Sequence, residues 1–303
     1  MKGMYNVKLP YPYTPGWEGA GTVVEVGGGQ TAQWFLNKRV AFMKAHEIGS
    51  YKIGGSFAEY AITNIKQVMP LSDDTSLEEG AAYFVNPLTA LGMVKRAKEL
   101  GATAIILTAG ASQIGRMIIR LCEKYGITPI ITVRREVQAE MLRKDFGCKY
   151  VVNTSLNGYE KTLGKACQKL RPSVCLECIA GDVTGDMLKY MGFGSRLILY
   201  GLLSEKPASN IDVIGLIGKS QYIEPFLLTN VLGPMTLLEY IQYVLEAEPL
   251  LKEILTTTVN ARFGLHQITE AIEFYKANQT AGKILLQPAL TPALHPATAP
   301  AKL

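Results

Sequence analysis

Gly110, Ser112 and Gly115 follow one another at the spacing G-x-S-x-x-G, directly after the apolar run Ala104–Leu107 and directly before a helical pattern. A turn of small residues there lets a ligand approach the backbone. The helix behind it offers first-turn N–H groups without intrahelical partners and the positive end of a helix dipole, so the chemistry is phosphate or pyrophosphate binding. Gly110, Ser112, Gln113, Ile114 and Gly115 are the candidate contacts. These are the positions of the dinucleotide fingerprint G-x-G-x-x-G, with serine in the middle. Roughly 20 residues further on, that fingerprint places the residue that reads the ribose, a carboxylate for a 2′-hydroxyl or an arginine for a 2′-phosphate. Arg134 and Arg135 occupy that place. NADPH is therefore the expected coenzyme, against the plainer reading of a strand-to-helix loop followed by solvated arginines.

Positioning these residues requires a buried strand, a helix and a second strand in that order. From Gln113 the residues Ile114, Ile118, Leu121 and Tyr125 recur at helical spacing, and Ile130–Val133 reads as the next strand. Strands at 104–108, 129–133, 149–153, 173–179 and 195–201 alternate with helical stretches from near 113, 136, 157 and 182. This is the pattern of an α/β fold, a Rossmann-type doubly wound parallel sheet. Gly181 and Gly201 fall just past strand ends, where they permit close approach of a coenzyme or serve as ordinary turns.

Before this region the chain is β-rich. Pro15, Gly16, Gly19 and Gly21 precede the alternating residues Val23, Val24 and Val26, while Arg39–Phe42 and Gly55–Thr63 read as strands. Residues 70–79 form a turn into a helix, and Asn86-Pro87 reads as the N-cap and first-turn proline of another. Beyond the sheet come the apolar segment Ser220–Leu228, a helix over 236–246 with Leu237, Leu238, Ile241, Val244 and Leu245 on its apolar side, a strand over 254–260, a helix over 265–277 and a strand over 283–287. The expected division is a β-rich substrate domain from 1–86 and 231–288, a nucleotide-binding domain from 87–230, and a disordered Pro/Ala-rich tail from 289–303.

At 303 residues and 48% hydrophobic, the chain can bury a large core. A net charge of +5, with scattered Lys and Arg, argues for neither a nucleic-acid nor a membrane partner. No stretch reads as a membrane span, and residues 1–16 lack the pattern of a signal or transit peptide, so a cytoplasmic location is expected, or a mitochondrial one if the native N-terminus lies upstream. The five cysteines make no disulfide framework. Cys175 and Cys178 form a C-x-x-C, but on a strand they face opposite ways and have no second pair, so core packing is the expected role.

The order of these segments resembles the medium-chain dehydrogenase/reductase superfamily. PGWEGAGTVVEVG is similar to its N-terminal glycine motif, GGSFAEYAIT to the strand closing its GroES-like barrel, and AGKILL to its C-terminal strand. FVNPLTALGMV and TVRRE are similar to the zinc-free enoyl-thioester reductases, with quinone oxidoreductases as the neighbouring branch. The resemblance covers 4 to about 288 and implies an N-terminally incomplete GroES-like domain, since the family begins with further barrel strands. It implies no metal, because Trp17 and Asn86 stand where zinc ligands would be. His46, His266 and His295 are far apart in sequence and take ordinary structural or surface roles. The resemblance places Lys283 with the coenzyme-binding residues, Tyr5 near the substrate carbonyl, and Asn86 and Thr89 beside the nicotinamide. For Tyr5 a packing role is equally open, and Asn86 also fits a simple helix start. The implied activity is NADPH-dependent reduction of an activated C=C bond, in an enoyl thioester or enone, with quinone reduction as the alternative. A non-catalytic NADPH-binding subunit is the alternative of another class. A homodimer through 222–228 is also implied.

Overall fold

The computed structural model describes residues 12–45, 47–48, 51–278 and 281–291. The chain forms two compact units, one from 1–85 with 257–303 and the other from 86–256. The first unit contains strand β1 (Glu18–Thr22), the short helix α1 (Gln30–Gln33), strand β2 (Arg39–Met43), a hairpin of β3 (Glu47–Ile48) and β4 (Tyr51–Lys52), strand β5 (Val68–Pro70) and helix α2 (Leu77–Gly80). β2 is the centre of an antiparallel sheet, paired with β1 and β5. Helix α2 starts at Ser76 because a capping box closes it: the Ser76 hydroxyl accepts from the Glu79 N–H, and the Glu79 carboxylate accepts from the Ser76 N–H at 2.8 Å.

Helix α3 (Val85–Glu99) leads to the second unit, where strands and helices alternate: β6 (Ala104–Leu107), α4 (Gln113–Tyr125), β7 (Thr128–Val133), α5 (Glu136–Phe146), β8 (Tyr150–Asn153), α6 (Tyr159–Leu170), β9 (Val174–Glu177), α7 (Asp182–Lys189) and β10 (Arg196–Leu199). There follow α8 (Val213–Gly218), β11 (Tyr222–Pro225), α9 (Leu228–Leu232) and α10 (Leu237–Glu253). The sheet is parallel throughout, in the order β11-β10-β9-β6-β7-β8. Its central strands β6 and β9 are buried along their whole length, as an apolar strand covered on both faces must be. Chain direction across the sheet reverses between them. In open α/β sheets that switch point is where a crevice opens at the carboxyl ends of the strands.

The chain then returns to the first unit with β12 (Val259–Phe263), α11 (Ile268–Ala277) and β13 (Lys283–Leu286), β12 and β13 pairing in parallel. Polar side chains join this return to the earlier segment. Lys283 pairs with Glu18, while Glu78 receives Arg262 at 2.5 Å and the Gln287 amide at 2.8 Å.

Several expectations need correction. Gly55–Thr63 is a loop, because its first N–H groups bond to Thr14, Gly16 and Pro15 carbonyls on a stretch broken by Pro15 and by the positive φ of Gly16, which offers no regular ladder. The first strand is Glu18–Thr22 rather than the valine run after it; Val24 is exposed. Asn86 is not an N-cap but lies inside α3, which begins at Val85. The strand expected over 254–260 is displaced to Val259–Phe263. Helix α10 belongs to the second unit, where the Tyr243 hydroxyl donates to the Leu88 carbonyl at 2.7 Å and Lys95 meets Glu246, so the return falls at 257 and not at 231. Apolar residues circle nearly all of α10, and periodicity alone could not select the buried face: Tyr240, Tyr243, Val244, Ala247, Leu250 and Leu251 are inside, while Leu238, Ile241 and Leu245 are exposed. Of the expected tail, 289–290 belong to a short 3-10 turn that begins at Pro288, and residues from 292 on lie outside the described residues.

Candidate functional site

The turn between β6 and α4 is shaped by contacts that leave no room for side chains. A Cβ on Gly110 would stand 2.2 Å from the Ile131 side chain, and one on Gly115 would stand 2.5 Å from the Gly110 carbonyl oxygen. Helix α4 therefore presses directly on the turn. Before it, Ala109 takes the left-handed conformation, with φ 49°, and the Gly110 N–H bonds to the Thr132 carbonyl of β7 at 3.2 Å. Such a conformation costs an alanine about 1–2 kcal/mol and persists only where its surroundings impose it.

Ser112 explains why the middle glycine of the fingerprint is replaced. It is the N-cap of α4, and its hydroxyl accepts from the Gly115 N–H at 3.1 Å. Among the described residues, no acceptor takes the N–H of Gln113 or of Ile114, and the buried side-chain nitrogen of Gln113 has no partner. Unsatisfied donors at a helix start, beside a turn without side chains, suit a bound anion such as a pyrophosphate. A dinucleotide thus fits the residues present.

Arg134 and Arg135 follow the last residue of β7 and are exposed; Arg135 is the N-cap position of α5. Arg134 has no partner among the described residues. The next residue, Glu136, would oppose a phosphate but is held: its carboxylate accepts from Asn153 at 2.9 Å and from Arg143 at 2.8 Å. These hydrogen bonds, from Asn153 first and Arg143 second, keep its pKa below the usual carboxylate value.

At the switch point the carboxyl ends of β6 and β9 are stitched together. The Cys178 N–H donates to the Thr108 hydroxyl at 3.1 Å. Glu177 is completely buried, and its carboxyl group accepts from the Ile179 N–H at 2.5 Å, the Ala180 N–H at 3.1 Å, the Thr184 hydroxyl at 3.0 Å and the Thr108 hydroxyl at 3.4 Å. Sequence reasoning missed this residue, although a lone glutamate inside the apolar run VCLECIA was the available signal. Ala180 and Gly181 both have φ 61°. Gly201 is explained by packing, since a Cβ there would stand 2.8 Å from Cys178. Gly181 exchanges backbone hydrogen bonds with Lys206 and Ser209.

The remaining described candidates fall in both units. Asn86 and Thr89 lie three apart on the first turns of α3, both half-buried. Lys283 lies in the first unit, where it is ion-paired to Glu18, whose other oxygen accepts from the Val85 N–H at 2.8 Å. Tyr5, His46 and His295 lie outside the described residues. Trp17 approaches Lys44, whose ammonium is 5.1 Å from the ring centroid. Among the described residues, no group of three or more His, Cys, Asp and Glu could hold a metal, and no helix is long and apolar enough to cross a membrane. Burial pushes the thiols of Cys148, Cys167 and Cys178 up to about 11 and that of Cys122 up to about 12, so none is a nucleophile near neutrality.

Comparison with known proteins agrees with this arrangement. Residues 114–245 match the family model of the zinc-binding dehydrogenases, and residues 1–73 match that of the alcohol dehydrogenase GroES-like domain. The chain is 29% identical over 213 residues to a probable quinone oxidoreductase of Leishmania amazonensis, covering 69% of this chain and 58% of that one. It is 27% identical over 244 residues to the mitochondrial enoyl-[acyl-carrier-protein] reductase of Xenopus tropicalis, covering 76% and 64%. It thus spans about 60% of the length of these curated relatives. Among solved structures, a putative NADPH:quinone reductase from Mesorhizobium loti superposes with a TM-score of 0.80 at 32% identity, covering 90% of this chain and 77% of that one. A mycobacterial protein complexed with NADPH superposes at 0.75 and 24% identity, covering 94% and 85%. With its Rossmann-type sheet, its GroES-like segment and these relatives, the chain belongs to the medium-chain dehydrogenase/reductase superfamily, on the zinc-independent branch of quinone oxidoreductases and enoyl-thioester reductases.

Proposed function

We propose that this chain is an NADPH-dependent, zinc-free reductase of an activated C=C bond, with an enoyl thioester or enone as substrate. The observation that carries the reading is the first turn of α4, where unpartnered donors of Gln113 and Ile114 adjoin a turn in which Gly110 and Gly115 admit no side chain. When bound, the nicotinamide supplies a hydride. Gln113, Ile114 and Ser112 hold the pyrophosphate, and Arg134 with Arg135 holds the 2′-phosphate through charge-assisted hydrogen bonds. Asn86 and Thr89 border the nicotinamide. Without a metal, negative charge developing on the substrate oxygen needs a hydrogen-bond donor, and Tyr5 takes that role or protonates the α-carbon. The relatives named as quinone reductases favour a second reading, reduction of a quinone by the same residues.

A spectrophotometric screen of NADPH oxidation with enoyl thioesters, enones and quinones tests this reading, with Tyr5→Phe run in parallel. Turnover of a thioester that falls in Tyr5→Phe while NADPH affinity persists supports the first reading. Turnover of quinones alone moves it to the second. Tight NADPH binding without oxidation by any acceptor makes the chain a non-catalytic NADPH-binding subunit.

A further inference from the structure

We propose that Glu177 is a positioning residue for the nicotinamide half of the coenzyme, acting by fixing the loop 178–181 at the switch point of the sheet. The inference rests on the coenzyme reading above. Its starting point is a side chain that apolar packing does not explain: a completely buried glutamate with no ion pair among the described residues. Burying such a group is unfavourable unless its oxygens are fully hydrogen-bonded. Here they are, and every donor is local to the crevice. Ile179 and Ala180 donate from the loop itself, Thr184 from the first turn of α7, and Thr108 from the end of β6.

These bonds determine a particular shape. Ala180 and Gly181 are consecutive residues at φ 61°, a path that an unrestrained alanine rarely takes. The Ala180 N–H lies 3.1 Å from both carboxyl oxygens, so the glutamate bonds the backbone within that turn. In a doubly wound sheet the first three strands bind one mononucleotide half and the next three the other, across the switch point. β6, β7 and β8 carry the phosphate turn and the arginines, hence the adenosine half. The loop after β9, the first strand of the second set, therefore faces the nicotinamide half.

The test uses the full-length protein and two probes, NADPH and adenosine 2′,5′-bisphosphate, which has the adenosine half alone. In Glu177→Gln an amide NH₂ replaces one acceptor oxygen and opposes the N–H groups of the loop. The expected result is NADPH binding weakened about tenfold, equivalent to about 1.4 kcal/mol, with the bisphosphate changed less than about twofold. Thr184→Val, which removes one donor and keeps the shape, should move NADPH binding the same way by a smaller factor, and Thr184→Ser should restore it. Should Glu177→Gln not fold, the Thr184 pair decides. Equal weakening of both probes, no change in either, or Thr184→Ser behaving like Thr184→Val overturns the inference while leaving the coenzyme reading intact. Absence of NADPH binding by the unaltered protein overturns both.

Discussion

Two glycine-to-alanine substitutions, chemically identical and both inside helices, should act in opposite directions. Gly164 lies in α6, and a Cβ there would meet only the Tyr190 ring at 3.7 Å, an ordinary van der Waals contact. Gly164→Ala should therefore raise stability by about 0.8–1 kcal/mol, the difference in helix propensity between the two residues. Gly115 lies in α4, where the same methyl group would stand 2.5 Å from the Gly110 carbonyl oxygen and 2.7 Å from its carbon. Those are backbone atoms and cannot swing aside, so α4 must shift off the turn. Overpacking of that kind costs about 1–3 kcal/mol. Setting the propensity gain of about 1 kcal/mol against it leaves a net loss of up to about 2 kcal/mol. A gap of about 1–3 kcal/mol should thus separate the two variants in urea denaturation. The displaced helix start should also weaken NADPH binding in Gly115→Ala alone. Equal stability of the two variants, or NADPH affinity retained in Gly115→Ala, would refute the reasoning that the close approach of helix and turn builds the phosphate site.

Replacing Arg134 and Arg135 together by alanine should weaken NADPH binding and leave NADH binding nearly unchanged, since a charge-assisted hydrogen bond is worth about 1.5–3 kcal/mol; equal losses in calorimetric titrations with both coenzymes would remove the 2′-phosphate assignment. Metal analysis of purified protein should find no stoichiometric zinc, and one tightly held ion per chain would contradict the ligand reading at Trp17 and Asn86. Strand β11 is an edge of the sheet, with Tyr222, Ile223 and nearby Leu227 exposed. Such an edge invites pairing, so light scattering at micromolar concentration should report a dimer, and a monodisperse monomer would count against it. Glu224 receives Arg96 at 2.9 Å and Arg196 at 3.2 Å, and these bonds, led by Arg96, lower its pKa from the ordinary 4.5. A depressed folded-state pKa adds stability above the unfolded value and loses it as pH falls through the folded one. The stability gap between the unaltered protein and Glu224→Gln should be constant above about pH 4.5 and close below it, whereas a gap independent of pH would show that the ion pair contributes nothing.

The second unit was largely legible in the sequence because its signals are local. Each strand is a short apolar run, each helix has its own period, and the phosphate turn lies within six consecutive residues, 110–115. The first unit was less so. Gly55–Thr63 has the alternation of a strand, but strand formation depends on the partner, and the neighbouring backbone at Pro15 and Gly16 is irregular. Helix α10 shows the same limit from another side: its existence follows from its composition, yet its buried face depends on what α3 presents to it. At the candidate site, the tight turn at Gly110 and Gly115 was readable because it rests on local backbone geometry. Glu177 was overlooked although its signal is local: Ile179, Ala180 and Thr184 donate from within seven residues, and only Thr108 comes from a distant strand. The partner of Lys283 was not readable, since it is a glutamate 265 residues earlier.

That last pairing bears on how the chain is made. Glu18 is emitted early by a ribosome, but Lys283, Arg262 and Gln287, which tie β13 and β12 to Glu18 and Glu78, are among the last described residues to appear. The second unit, by contrast, is one uninterrupted stretch, 86–256. Its parallel sheet can close during synthesis, while residues 12–85 wait with their return strands unmade. Domains otherwise tend to fold from the N-terminus onward; here the connectivity predicts that the middle of the chain matures first. A released fragment ending at residue 256 should accordingly carry a protease-resistant core from its second unit and a first unit still open to cleavage.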